Sequence, residues 1–147
     1  MKKVLPPSIH VALTGTARGR GVFAGKVFLP GELVEVSPVV LVDCKHFDLP
    51  VEITHYAFSW QGLTGGASLQ ALALGYGSLY NHANPANMVY RGDVENNAIV
   101  FLAARRIEAG EELTINYSAP GGGAACEGER WFAQHDVQPC PDTPADN

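Results

Sequence analysis

The apolar positions of this chain fall in short runs broken by glycine and proline, and few stretches hold a 3.6-residue period for long. That pattern predicts short strands joined by turns. Residues 10–13 read as a first strand ended by TGTARGRG, and residues 21–27 as a second that stops at Pro30-Gly31. Residues 33–42 are valine-rich and partly alternating; Pro38, with no N–H for a ladder, predicts an edge position or a bulge there. Residues 43–66 mix acids with His46, His55, Tyr56 and Trp60 and read as an irregular, variable insert. Residues 67–74 are too short a run to separate a helical turn from a buried strand. Residues 97–104 form a β-type run, RRIEAGEE a turn, and residues 113–117 a last short strand. A glycine-rich hinge, PGGGAA, leads to EGERWFAQHDV, the best short helix in the chain, and the tail QPCPDTPADN is expected to fray.

With 147 residues, 46% of them hydrophobic, the chain has the size and core for one domain without disulfide staples. The net charge is −5, yet the first thirty residues carry five basic side chains and no acid, so the remainder sums to −10. An acidic body argues against binding along a nucleic-acid backbone and for a basic partner. Three cysteines, Cys44, Cys126 and Cys140, form no close pair and suit free thiols in a reducing compartment; Cys126, His135 and Cys140 match no structural zinc spacing. Only two apolar residues separate Lys2-Lys3 from Pro6-Pro7, and no run approaches transmembrane length, so the expectation is a soluble intracellular protein.

Three separated stretches carry the candidate chemistry. In GRGVFAGKVFLPGELV, the Gly19-Arg20-Gly21 turn allows close backbone approach to a ligand, although alone it reads as a tight turn. In YNHANPAN, Asn81 and His82 follow an apolar run directly, yet these residue types also make an ordinary loop. In RRIEAGEELTINY, a Glu-Glu pair precedes a strand ending in Tyr117, which by itself reads as a half-buried aromatic.

Taken in order, RGRGVFAGKVFLPGELV, YGSLYNHANPAN and AARRIEAGEELTINY, followed by EGERWF, resemble the SET-domain family of protein-lysine methyltransferases in its minimal, single-domain form. The resemblance implies a mostly β SET fold of small sheets in which the Asn-His segment passes beneath the final motif in a knot-like crossing. It implies an N-terminal extension at 1–9, the domain at 10–118, and a zinc-free aromatic segment and tail at 119–147. It further implies S-adenosyl-L-methionine as methyl donor and a lysine in a basic protein as acceptor. Gly19 and Gly21 would bring backbone to the methionine part of that cofactor, with Arg20 pairing its carboxylate; Asn81 and His82 would hold its amino group and adenine. Trp131 or Phe132 would pack on the adenine, Tyr117 would stand at the transfer centre, and Tyr90 would join it in the lysine channel.

Two departures from the family pattern stand out: Ala83 follows Asn81-His82, and Pro85-Ala86 precedes Asn87, which nonetheless keeps its distance from Asn81. The cysteine-rich zinc segment that follows many such domains is missing, and with no helical flanks the substrate contacts fall to residues 43–66. The implied reaction is an in-line displacement, so the protein's task is to position two reactants and keep the lysine neutral. A sulfonium about 4 Å from an ammonium costs it roughly 4 kcal/mol at an effective dielectric of about 20. That is on the order of three pK units, enough to bring an amine of ordinary pKa about 10.4 near neutrality without a dedicated base. Tyr117 then serves as an orienting group. Two rivals are a catalytically idle SET module that binds a peptide or chromatin-like protein, against which the retained site residues argue, and a metal-assisted hydrolase using His46, His55 and His82, for which no H-E-x-x-H or comparable spacing exists.

Overall fold

The computed structural model of the chain describes residues 3–135. The tail expected to fray, Cys140 with it, and residues 136–137 of the expected helix lie outside them. Among the described residues, nine strands make two sheets. In the first, β1 (Ile9–Leu13) and β2 (Arg20–Ala24) form a hairpin, β2 pairs with β9 (Glu112–Ile115), and β9 pairs in parallel with the two-residue β6 (Asn81–His82). The second has the order β4 (Ala57–Ser59), β5 (Gln70–Ala73), β3 (Leu33–Val42), β8 (Ala98–Ala103), β7 (Met88–Asp93). The core joins both sheets, with Val22, Leu113 and Ile115 from the first meeting Met88, Ile99 and Phe101 from the second. The fold is mostly β, as the short apolar runs predict.

Pro38 is neither at an edge nor in a bulge. β3 is central in its sheet and changes partner along its length: its first half pairs with β8 through Pro38, and Val39–Val42 pair with β5. Pro38 stands at the hand-over and contributes its carbonyl, which accepts from Leu74 N at 2.8 Å. The register of the β3–β8 pair shifts at Leu33–Glu35 instead. Within residues 67–74 the chain forms a strand, β5, over Gln70–Ala73 rather than a helical turn.

The insert at 43–66 is more ordered than its composition predicts. It holds α1 (Val51–Thr54), β4 and α2 (Trp60–Thr64). Local chemistry explains α2: Ser59 Oγ accepts from Gly62 N at 3.1 Å as an N-cap, Gly65 ends the helix at φ 71°, and the buried Trp60 ties it to the core. The expected C-terminal helix is α3 (Arg130–Gln134). Among the described residues, no helix is long and apolar enough to cross a membrane, and no group of three His, Cys, Asp or Glu side chains is arranged to hold a metal.

Candidate active site

The site is built where the Asn-His segment passes beside β9. Residues 81–87 are gripped from both sides. On one side Asn87, only 4% exposed, donates through Nδ2 to Glu112 O at 2.7 Å and accepts from Thr114 N at 2.9 Å. On the other side Ala86 N donates to Ala124 O at 2.8 Å, while Asn84 Nδ2 donates to Cys126 O and its Oδ1 accepts from Cys126 N. This is the knot-like crossing. The Asn84-Pro85 bond is cis, and Asn87 keeps its clamp on β9 despite the unusual Pro85-Ala86 before it.

After β9 the buried Asn116 turns the chain sharply: its Oδ1 accepts from Ser118 N at 2.8 Å and Ala119 N at 3.0 Å. The turn delivers Tyr117 to the Asn-His segment, which holds it at both ends. Tyr117 N donates to His82 Nδ1 at 3.0 Å, and the Tyr117 hydroxyl donates to Tyr80 O at 2.5 Å. Because Nδ1 accepts, His82 carries its proton on Nε2. That nitrogen lies 2.8 Å from Glu129 Oε2 without the alignment of a hydrogen bond. Asn81 Nδ2 donates to Arg20 O at 2.9 Å and to Glu112 Oε1 at 2.8 Å, and Glu112 also meets Arg18 at 3.3 Å. No donor among the described residues engages Asn81 Oδ1.

Two cavities open on this arrangement. One, of about 540 Å³, is lined by Arg18, Arg20, Asn81, His82 and Phe132 among others. The second, of about 550 Å³, is lined largely by the insert, with Phe47 and Phe58, and by Tyr80, Tyr90 and residues 119–122. Tyr117 lines both, together with His55, Tyr56, Ser78 and Trp131. Among the described residues, no carboxylate lines either cavity. Trp131 meets the Tyr117 ring edge-on at a centroid distance of 4.9 Å, and Phe132 stacks on it at 6.0 Å.

Burial raises the Tyr117 hydroxyl well above the ordinary tyrosine range, and nearby Tyr90 adds to the effect. Burial likewise pushes Tyr90 up to about 12. Both are therefore neutral phenols at physiological pH. Since Tyr117 gives its proton to a carbonyl, its oxygen lone pairs remain to accept a bond from the cavity side.

Of the residues expected from sequence, Arg20, Asn81, His82, Tyr117, Trp131 and Phe132 gather around the smaller cavity. Gly19 and Gly21 do not line it. Gly19 is required by its φ of 75°, and Gly21 by packing, since a Cβ there would lie 2.6 Å from Glu112 Oε1. The flanking arginines face the cavity in their place. Tyr90 lines only the larger cavity, where its hydroxyl points to Asn116 O at 3.4 Å. Arg18, Glu112 and Glu129 were not legible as site residues, because each acts through partners 11 to 94 positions away.

The SET domain family model matches residues 19–118. The chain belongs to the SET-domain family of protein-lysine methyltransferases. A Schizosaccharomyces pombe relative, a histone-lysine N-methyltransferase specific for H3 lysine-37, is 33% identical over 103 residues, 68% of this chain and 67% of that protein. Solved structures show the same fold. A Plasmodium falciparum protein described as a histone methyltransferase aligns with a TM-score of 0.60 at 24% identity, covering 78% of this chain and 96% of its own. Polycomb repressive complex 2 of Chaetomium thermophilum aligns with a TM-score of 0.59 at 22% identity, over 78% of this chain and 16% of the matched one. This SET chain thus spans only a small part of the polycomb subunit, and at these identities the likeness carries the fold.

Proposed function

We propose that this SET protein transfers a methyl group from S-adenosyl-L-methionine to the side-chain amine of a lysine in a basic protein. The observation that carries the reading is the place of Tyr117 in the wall common to both cavities. A donor entering from one side and a lysine from the other would meet at its hydroxyl.

The smaller cavity has the chemistry to hold the cofactor. Its volume falls in the range of small-molecule sites. Arg20 is exposed and offers a guanidinium to a carboxylate, Asn81 Oδ1 accepts from an amino group, and Trp131 and Phe132 supply flat apolar surface for a base. When bound, the cofactor supplies a methyl group on a positively charged sulfur, ready for in-line displacement. The chain's own residues do the rest. Tyr80, Tyr90 and Phe58 of the larger cavity strip water from an entering lysine, which favours its neutral, nucleophilic form. Among the described residues no carboxylate lines either cavity, and the lysine proton leaves to solvent. Tyr117, fixed by His82 and Tyr80, accepts a hydrogen bond from the amine and directs its lone pair.

The acidic surplus beyond residue 30 favours a lysine-rich partner by long-range attraction. The test is incubation of the full chain with tritium-labelled S-adenosyl-L-methionine and a panel of histones, ribosomal proteins and other basic proteins. Label is expected in lysine after hydrolysis. Cofactor binding with no label in any protein of a broad panel would contradict the reading.

A further inference from the structure

Glu35 is a buried carboxylate that the site described above does not use. It sits on β3, is 4% exposed, and lines neither cavity. No cation pairs with it among the described residues. Such a group is costly to keep unless donors surround it. Two donors point at it: the Tyr80 hydroxyl at 2.7 Å and Tyr76 N at 2.9 Å, one to each oxygen. Gly75, at φ 74°, lets the chain approach, since a Cβ there would lie 2.8 Å from Oε2.

We infer that Glu35 is a positioning residue for methyl transfer, acting through Tyr80 to aim the Tyr117 hydroxyl. This rests on the role given to Tyr117 above. Tyr80 links the two sheets: its phenol is held by Glu35 on β3, and its backbone carbonyl receives the Tyr117 hydroxyl at 2.5 Å, directly before β6. The ring is 1% exposed and packs on Phe101 at 4.8 Å, so a shift at the phenol end has little free space in which to dissipate. The carbonyl moves with it. The ionised carboxylate accepts both donors; with Glu35→Gln or on protonation one oxygen position becomes a donor, and the Tyr80 hydroxyl keeps its bond there only by reversing to accept, which changes its orientation.

The test compares the full wild-type chain with Glu35→Gln, Tyr80→Phe and the double variant. It measures kcat and KM for a labelled protein substrate, the melting temperature, and the 13Cζ-tyrosine spectrum without cofactor, with the Tyr117 resonance assigned from Tyr117→Phe. Each single variant is expected to lower kcat per folded molecule by roughly tenfold with KM for the cofactor almost unchanged. The double variant should be no slower than the slower single, because both break one linkage. The Tyr117 resonance should move in both single variants. Unchanged kcat and an unmoved Tyr117 resonance, with only a lower melting temperature, would overturn the inference. If the wild type labels nothing, the functional reading fails, and the resonance still decides: a shift supports the linkage, no shift refutes it. Tyr80→Phe keeps the ring and supplies that result should Glu35→Gln not fold.

Discussion

The two cavities that share Tyr117 are nearly equal in volume and differ in how they are made. The smaller one takes its wall from segments far apart in the chain, Arg18 and Arg20, Asn81 and His82, then Phe132, and some of these touch across the crossing: Asn81 donates to Arg20 O and the His82 ring meets Phe132 at 4.8 Å. The larger one takes its biggest single share from the contiguous insert, with Tyr80, Tyr90 and residues 119–122 completing it, and its surface is rich in aromatic side chains. A wall whose residues also hold the fold together cannot vary without cost. A wall supplied by one local segment can. We take the smaller cavity to be constrained by a fixed ligand and the larger to be adjustable to a substrate.

The largest expected effect comes from the point where the larger cavity is not adjustable. Gly122 has φ 79°, and a Cβ there would overlap the Tyr90 carbonyl. Gly122→Ala should destabilise by about 3 kcal/mol or more, lowering the melting temperature by roughly 10 °C in a scanning calorimeter. A shift within about 1 °C would mean that this turn yields as freely as the insert. Trp131 lines both cavities, so Trp131→Ala should weaken cofactor binding by about tenfold, read from titration of the remaining fluorescence or by calorimetry. Arg20→Ala should weaken it a few-fold, with stability changed by less than about 0.5 kcal/mol, because its side chain is exposed. A loss of substrate binding instead would erase the division between the two sides.

The smallest effect concerns pH. His135 stacks on Trp131 at 4.0 Å and approaches His46 Nε2 at 2.8 Å, joining α3 to the insert. Burial, with His46 and His55 nearby, holds it below the ordinary histidine range. The unfolded chain therefore binds this proton more readily than the folded one. The stabilisation is present above the ordinary histidine pKa of about 6.5 and is lost as pH falls below it. Melting temperature should fall between about pH 7 and 5, and His135→Gln should flatten that slope.

Much of the fold was legible because it rests on local patterns. Val22, Ile99, Leu113 and their neighbours fall in the apolar runs that become β2, β8 and β9. The resemblance of three short motifs led to Asn81, His82 and Tyr117, which the structure brings together. What stayed hidden has a physical reason. A two-residue parallel strand such as β6 has no period to detect. β7 is interrupted by Arg91 and Gly92, and its apolar side is set by β8. The order in the insert comes from a serine cap and a left-handed glycine, which composition does not reveal. Nothing in the sequence marks Glu35, Glu112 or Glu129 individually, because the partners that engage them lie far along the chain.

The central claim is that methyl transfer is oriented by the Tyr117 hydroxyl where the two cavities meet. Tyr117→Phe removes that oxygen and its bond to Tyr80 O while leaving the ring against Trp131 and Phe132. Transfer rates and cofactor affinity of this variant and the wild type, measured side by side on one labelled protein substrate, test it most directly. The account predicts a fall in kcat on the order of a hundredfold with cofactor affinity within about threefold of wild type. Equal rates in the two proteins would contradict it.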